Sequence, residues 1–348
     1  MSRLQNLRVG YVPYSQALNL PGDRRRFVNY AQKRGIEFEP ADPRNAYDVV
    51  VLSERADISV WRNYSRGKIV YDLIDSYLAI SRTSIKGQLR GLAKFVTRQS
   101  RYLQIDHWRA IETMCKRADA VVCTTAEQQQ DIGKFCRNVH VVLDLHSTVT
   151  RAIKADYATG STFRLAWEGL PATLESLHLI KAALREIERN HPLSLHIVTD
   201  PTYFRHLGRF GRRPTLDLVS KLCNHVTLHE WNERTCAEIV CNCDAALIPL
   251  DLSDPFAAGK PKNKLLLLWR MGMPVVTSAS PAYLRAMAGA GLDLACKDYN
   301  DWQLKLEHLI KNQSARENAG RRGRAYAESH FSEEQILARW DAVFASLF

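Results

Sequence analysis

Residues Gly259 to Val276 read GKPKNKLLLLWRMGMPVV. Three lysines on alternate positions, Lys260, Lys262 and Lys264, run into a nearly continuous apolar stretch that stops at Gly272-Met273-Pro274. The pattern predicts a buried helix from Asn263 to Met271, with Asn263 as its cap and Gly272 as its stop, followed by a short buried strand over Pro274–Thr277. The first amides of a helix lack partners and carry the positive end of its dipole, so cations placed there prepare a seat for an anion, phosphate first. A basic loop ahead of an ordinary core helix fits the same residues.

Outward from this stretch, apolar strand-like runs alternate with helical patterns through the whole chain of 348 residues. In the first half the runs are Leu7–Val12, Ile36–Glu39, Asp48–Leu52, Lys68–Leu73, Ala118–Thr124 and Val139–Leu143, with helices expected at Asp23–Arg34, Leu89–Arg117 and Glu127–Phe135. A second series starts at Phe163–Trp167 and continues through Ser194–Thr199, His225–His229 and Ala245–Leu250, with helices at Thr173–Arg189 and Glu233–Val240. Such alternation predicts an α/β protein of two Rossmann-like doubly wound domains, whose strand ends share a cleft. Residues 1–155 form the first expected domain and residues 156–331 the second. The last segment, 332–348, reads as a helix opened by Ser332-x-x-Gln335, with an apolar stripe of Ile336, Trp340, Val343, Phe344 and Leu347. That stripe must dock, either on the first domain or in completion of the second.

The net charge is +11, from 48 Lys+Arg against 37 Asp+Glu. Residues 1–155 hold 25 basic and 15 acidic side chains, a net of +10, and the remainder only +1. A segregated excess of this size points to an anionic partner: nucleic acid, a lipid head-group surface or an acidic polymer. No apolar run approaches the roughly 20 residues that span a bilayer. The start enters a strand with no apolar signal region, which predicts a cytoplasmic protein. The eight cysteines lack the paired spacing of zinc sites and read as buried thiols.

In the second half, Phe163–Gly169, His225–Trp231 with Cys243–Leu250, and Asn263–Val276 together resemble the GT-B glycosyltransferases, and among them family 4. Ala118–Thr125 resembles the strand that precedes the linker in that fold. The resemblance implies a glycosyltransferase using a nucleotide-diphosphate sugar, without cofactor and without metal, in surface polysaccharide or glycan assembly. It implies a donor site built from Lys260, Lys262, Asn263, Lys264, Glu168, Gly169, Arg205, Glu230 and Trp231, with Asp254 a further carboxylate. Family 4 members usually place two glutamates eight residues apart at the phosphate helix; those positions here are Gly259 and Leu267, which leaves retaining chemistry unsupported. A nucleotide-sugar epimerase of the same fold is one alternative, and a non-catalytic module binding anionic polymer or nucleic acid is another.

On the acceptor side, Asp72 and Asp75 stand at a strand end where a base could meet an acceptor hydroxyl, Asp75 being favoured. Asp23 reads as the cap of the helix that follows it. The segment 85–101, IKGQLRGLAKFVTRQSR, has five basic residues and no acidic one. Arg90, Lys94 and Arg98 would meet a lipid-linked or anionic saccharide, or the inner face of a membrane peripherally. No nucleic-acid motif is present.

Overall fold

The computed structural model describes residues 7–81, 91, 93–97, 99–206 and 210–348. It resolves into two compact units. Unit 1 holds the described residues up to Leu145, the short strap Gly259–Pro261, and Glu333–Phe348; unit 2 holds His146–Ala258 and Lys262–Ser332.

Unit 1 is built on β1 (Val9–Val12), β2 (Glu39–Pro40), β3 (Val49–Leu52), β4 (Lys68–Asp72), β5 (Ala120–Cys123) and β6 (Val139–Val141). Every pairing among them is parallel, in the order β2-β1-β3-β4-β5-β6. Fully buried runs such as Val49-Val-Val-Leu52 suit a sheet covered on both faces. The chain reverses its direction of winding between β1 and β3, and the crevice outside the carboxyl ends of such a pair is where open α/β sheets take ligands.

The terminal helix Glu333–Ala345 belongs to this unit, and its apolar stripe is core. Trp340, at 0% exposure, stacks on Tyr30 with centroids 5.6 Å apart, and Phe344 stacks on Tyr30 at 5.5 Å. Asp23 does not cap a continuous helix. Helix Pro21–Arg24 breaks at Arg26 before Phe27–Arg34, and the buried Asp23 carboxylate accepts from Tyr11 Oη (2.9 Å), from the Tyr14 and Ser15 amides (2.9 and 3.1 Å) and from Ser15 Oγ (3.1 Å). It therefore holds the loop after β1 in shape. The long helix expected over Leu89–Arg117 is also corrected. The described residues 99–106 are not helical, and a separate helix His107–Arg117 starts at Asp106, whose side chain accepts the Trp108 and Arg109 amides.

Unit 2 carries β7 (Phe163–Glu168), β8 (Leu193–Thr199), a hairpin of β9 (Thr202–His206) and β10 (Phe210–Pro214), then β11 (Val226–Glu230), β12 (Ala245–Ile248), β13 (Val275–Ser278) and β14 (Ala295–Cys296). Its parallel sheet runs β11-β8-β7-β12-β13-β14, so the winding reverses between β7 and β12. The lysine-led helix spans Asn263–Arg270, with Leu265, Leu266 and Leu267 at 0% exposure. Gly272 ends it at φ 74°, its amide donating to Trp269 O at 2.8 Å. Helix Gln313–His330 lies close against it: a Cβ on Gly323 would sit 2.5 Å from the Trp269 ring, so only glycine permits that approach.

Candidate functional site

Strand β7 delivers Trp167, Glu168 and then Gly169 to the carboxyl edge of the unit 2 sheet, at its reversal point. Lys264, in the first turn of its helix, reaches the same spot, with Nζ 4.5 Å from the centroid of the Trp167 ring. A Cβ on Gly169 would lie 2.5 Å from Lys264 Nζ and 3.0 Å from that ring. The ammonium can swing aside, but Trp167 is 1% exposed and cannot. Gly169→Val is accordingly expected to push Lys264 off its position over the Trp167 ring, as a crystal structure of the variant would show.

Glu168, 5% exposed, accepts from Trp231 Nε1 at 3.0 Å, and the Trp231 amide donates to Thr199 O at 2.9 Å. The indole that follows β11 is thereby fixed beside the end of β7. Glu230 is exposed at the same edge. Burial, with the Glu230 charge second, raises the pKa of the neighbouring Asp200 above the ordinary aspartate value.

The other donor candidates are placed differently. Lys262 stands at the N-cap position, where Asn263 was expected, and its Nζ lies 4.2 Å from the Phe331 centroid and 5.9 Å from that of Tyr326. Residues two apart on a helix point about 200° apart, so alternate lysines entering one cannot share a face. Lys260 belongs to unit 1, its Nζ 3.7 Å from Asp75 Oδ1. Asn263 is buried as the first helical residue. Asp254 is exposed and accepts from the Phe256 amide at 3.0 Å, starting the short helix Pro255–Ala258. Arg205 lies on β9 of the hairpin. Lys94 is partly exposed on a helical segment, whereas Arg90 and Arg98 lie outside the described residues.

In unit 1, Asp72 is closed inside an ion pair. Arg26 Nε and Nη2 donate to its two oxygens at 2.7 and 2.6 Å, and Arg26 Nη1 donates to Asp144 Oδ1 and Val142 O, each at 3.0 Å. Both members are almost fully buried, so an incoming hydroxyl does not reach Asp72. Asp75 keeps 29% side-chain exposure beside Lys260, and Ser76 Oγ donates to Gly259 O at 2.8 Å. Sequence reasoning passes over two residues here. Tyr14 and Glu54 each stand two positions beyond a strand end, as Asp75 stands three beyond the end of β4. Glu54 accepts the Asp75 amide.

Among the described residues, no group of three or more His, Cys, Asp or Glu is placed to hold a metal ion, and no helix is long and apolar enough to cross a membrane.

No family model matches the chain, and no curated protein matches it either. Solved structures do resemble it. TarM from S. aureus, in complex with Fondaparinux, alpha-GlcNAc-glycerol and UDP, superposes with a TM-score of 0.57 at 12% identity over 85% of this chain; the chain spans only 55% of the length of TarM. HepE from Anabaena, in complex with UDP-glucose, gives 0.65 at 12% identity and covers 98% of this chain and 100% of HepE. WaaG, a glycosyltransferase involved in lipopolysaccharide biosynthesis, gives 0.58 at 14% identity, covering 96% and 99%. At such identities the likeness establishes the fold: an α/β GT-B fold of two domains, each built on a parallel six-stranded sheet.

Proposed function

We infer that this protein is a glycosyltransferase that draws on a nucleotide-diphosphate sugar. The observation that carries this reading is the seat at the end of β7, where Lys264 in a helix's first turn stands over Trp167 beside a glycine on which a Cβ would crowd both. As the sugar leaves, negative charge gathers on the diphosphate, and a fixed ammonium with first-turn amides lowers the energy of that state. Trp231, pinned to Glu168, offers an aromatic face for the base. The UDP and UDP-glucose held by TarM and HepE are in keeping with this ligand class. Lys264 supplies the countercharge, and the reading calls on no metal.

The acceptor belongs to the same proposal: a lipid-linked or anionic saccharide in surface polysaccharide assembly. It rests on the +10 charge of residues 1–155 and on the exposed apolar side chains Phe95, Val96, Tyr102, Leu103 and Ile105. Leu267 is fully buried where family 4 members usually carry a glutamate, so no donor contact of that type is assigned to it.

The test is a panel of UDP, GDP, ADP, TDP and CMP in thermal unfolding, paired with slow hydrolysis of the corresponding sugar nucleotides. At about 100 times its Kd, the right nucleotide stabilises by about 2.7 kcal/mol and raises Tm accordingly. Silence across the panel in both assays overturns the reading.

A further inference from the structure

Polarity is inverted along residues 101–105 of unit 1. Gln104 is 8% exposed and its Oε1 accepts from Arg62 Nη1 at 3.1 Å, while its apolar neighbours Leu103 and Ile105 stand 47% and 77% exposed. Fraying does not explain this, because the backbone there is tied down. The Arg101 amide donates to Asp57 Oδ2 at 2.7 Å and the Tyr102 amide to Ser59 Oγ at 3.1 Å, both at the start of helix Ile58–Trp61. The helical residues 93–96 lie beside this segment. Gly91 is buried against the Gln104 carbonyl, which a Cβ would strike, and the Gln99 and Ser100 amides close the turn by donating to Lys94 O. Phe95 and Val96, 42% and 70% exposed, thereby come to the same region of the surface as Tyr102, Leu103 and Ile105.

Of the fifteen large apolar side chains that stand exposed among the described residues, five fall between positions 95 and 105. Single exposed apolar residues are ordinary, whereas a cluster marks a surface that something covers. Charge indicates what covers it. The thirty residues from Ser76 to Ile105 carry six Lys and Arg and no Asp or Glu. Two acidic side chains close by, Asp57 and Asp106, are occupied at helix starts, Asp57 accepting the Ser59 and Arg101 amides and Asp106 those of Trp108 and Arg109. The Arg101 guanidinium sits 5.6 Å from the Tyr102 ring centroid, a cation at the rim of the apolar group.

We propose that this patch, which lies wholly within unit 1, docks the protein on an anionic lipid bilayer. Phe95, Val96, Tyr102, Leu103 and Ile105 enter the boundary between head groups and acyl chains, and Lys94 and Arg101 meet the lipid phosphates. A bilayer accepts a patch of one sign without matched geometry, because its head groups rearrange around the cations. A protein partner needs a rim of paired polar groups, which a stretch of cations alone does not offer. The chain rests on the surface and does not span it, since among the described residues no helix is long and apolar enough to cross. The docking surface goes beyond the glycosyltransferase reading and requires no nucleotide.

The experiment is co-sedimentation of the full chain with vesicles of phosphatidylcholine alone and of phosphatidylcholine with about one-third phosphatidylglycerol. The wild type should bind the anionic vesicles and leave the neutral ones. Raising the salt from about 0.1 M to about 1 M should weaken binding several-fold, as the screening length falls from about 10 Å to about 3 Å. Val96→Asp combined with Ile105→Asp should weaken it at least about tenfold, with the circular-dichroism spectrum unchanged because both side chains already face water. Leu304→Asp, at a site 66% exposed in unit 2, is the control and should bind as the wild type does. The proposal is overturned if the wild type ignores anionic vesicles, if it binds neutral ones equally, or if the double variant binds no more weakly than Leu304→Asp. A wild type that self-associates in sedimentation equilibrium and binds no vesicle, beside a monomeric double variant, assigns the patch to a second copy and equally overturns it. Vesicle binding is read without nucleotide, so silence in the nucleotide panel counts against the glycosyltransferase reading alone.

Discussion

Replacing Lys264 by alanine is expected to cut transfer, or slow donor hydrolysis, by about 100-fold to 1,000-fold, the usual cost of removing one donor aimed at developing charge. Affinity for UDP should fall less, by roughly 10-fold to 100-fold, because the ground-state diphosphate loses one charge-assisted contact of about 1.5–3 kcal/mol. The split arises because the ammonium meets more charge as the bond to the sugar breaks than it does before. Stability should barely move. The contact between the ammonium and the Trp167 ring that the fold gives up is of about 0.5–1 kcal/mol. Lys262→Ala is the internal comparison. Its ammonium rests on Phe331 and Tyr326, so the alanine variant should retain most activity. Steady-state kinetics with calorimetry on both variants reads the difference, and equal effects at 262 and 264 would remove Lys264 from the diphosphate.

Why one lysine and not three is also the clearest case of what the sequence conceals. The helix itself was legible, because four leucines in a row with a glycine stop leave little else for residues 263–272 to form. The direction of each lysine was not, since the point where the chain enters the helix decides which side chains follow its rotation. The central strands were readable for a similar reason: Val49-Val-Val-Leu52 and Ala245-Ala-Leu-Ile248 are unbroken apolar runs of strand length. The hairpin of β9 and β10 is hard to read in the sequence because its Phe204, Arg212 and Arg213 are exposed and give no apolar alternation. Helix Gln313–His330 has no counterpart among the expected elements, being polar with two interior glycines; its partner Trp269 explains Gly323 only once the two helices lie together. The expected helix over Thr173–Arg189 also divides, into 3₁₀ turns over Pro171–Ile180 and an α-helix Lys181–Asn190.

Arg26 shows the same limit from the side of charge, and it carries the largest stability effect expected. In the run Arg24-Arg25-Arg26 it looks like solvated surface, yet it is 0% exposed, and its partners Asp72 and Asp144 lie 46 and 118 positions away in the chain. Its guanidinium also sits 5.7 Å from the Trp340 centroid, so it touches the terminal helix as well as the strand ends of the sheet. Asp72→Ala removes both bonds of a bidentate pair and leaves a buried cation with a single carboxylate. Stranding a buried charge in this way costs about 3–5 kcal/mol, more than the pair's own net contribution. The effect should appear as a large drop in the urea midpoint, with hydrogen exchange placing the loss in the amides of β1, β3 and β4 and the terminal helix while unit 2 stays protected. Asp341→Ala is the contrasting case. It removes a partner of Arg34 and Tyr30 at a site still 39% exposed, where screening by water limits the cost to about 1 kcal/mol or less. If Asp72→Ala were no worse than Asp341→Ala, the charge at Arg26 would have to be reached by water, and the ion pair could not be what joins the terminal helix to the sheet.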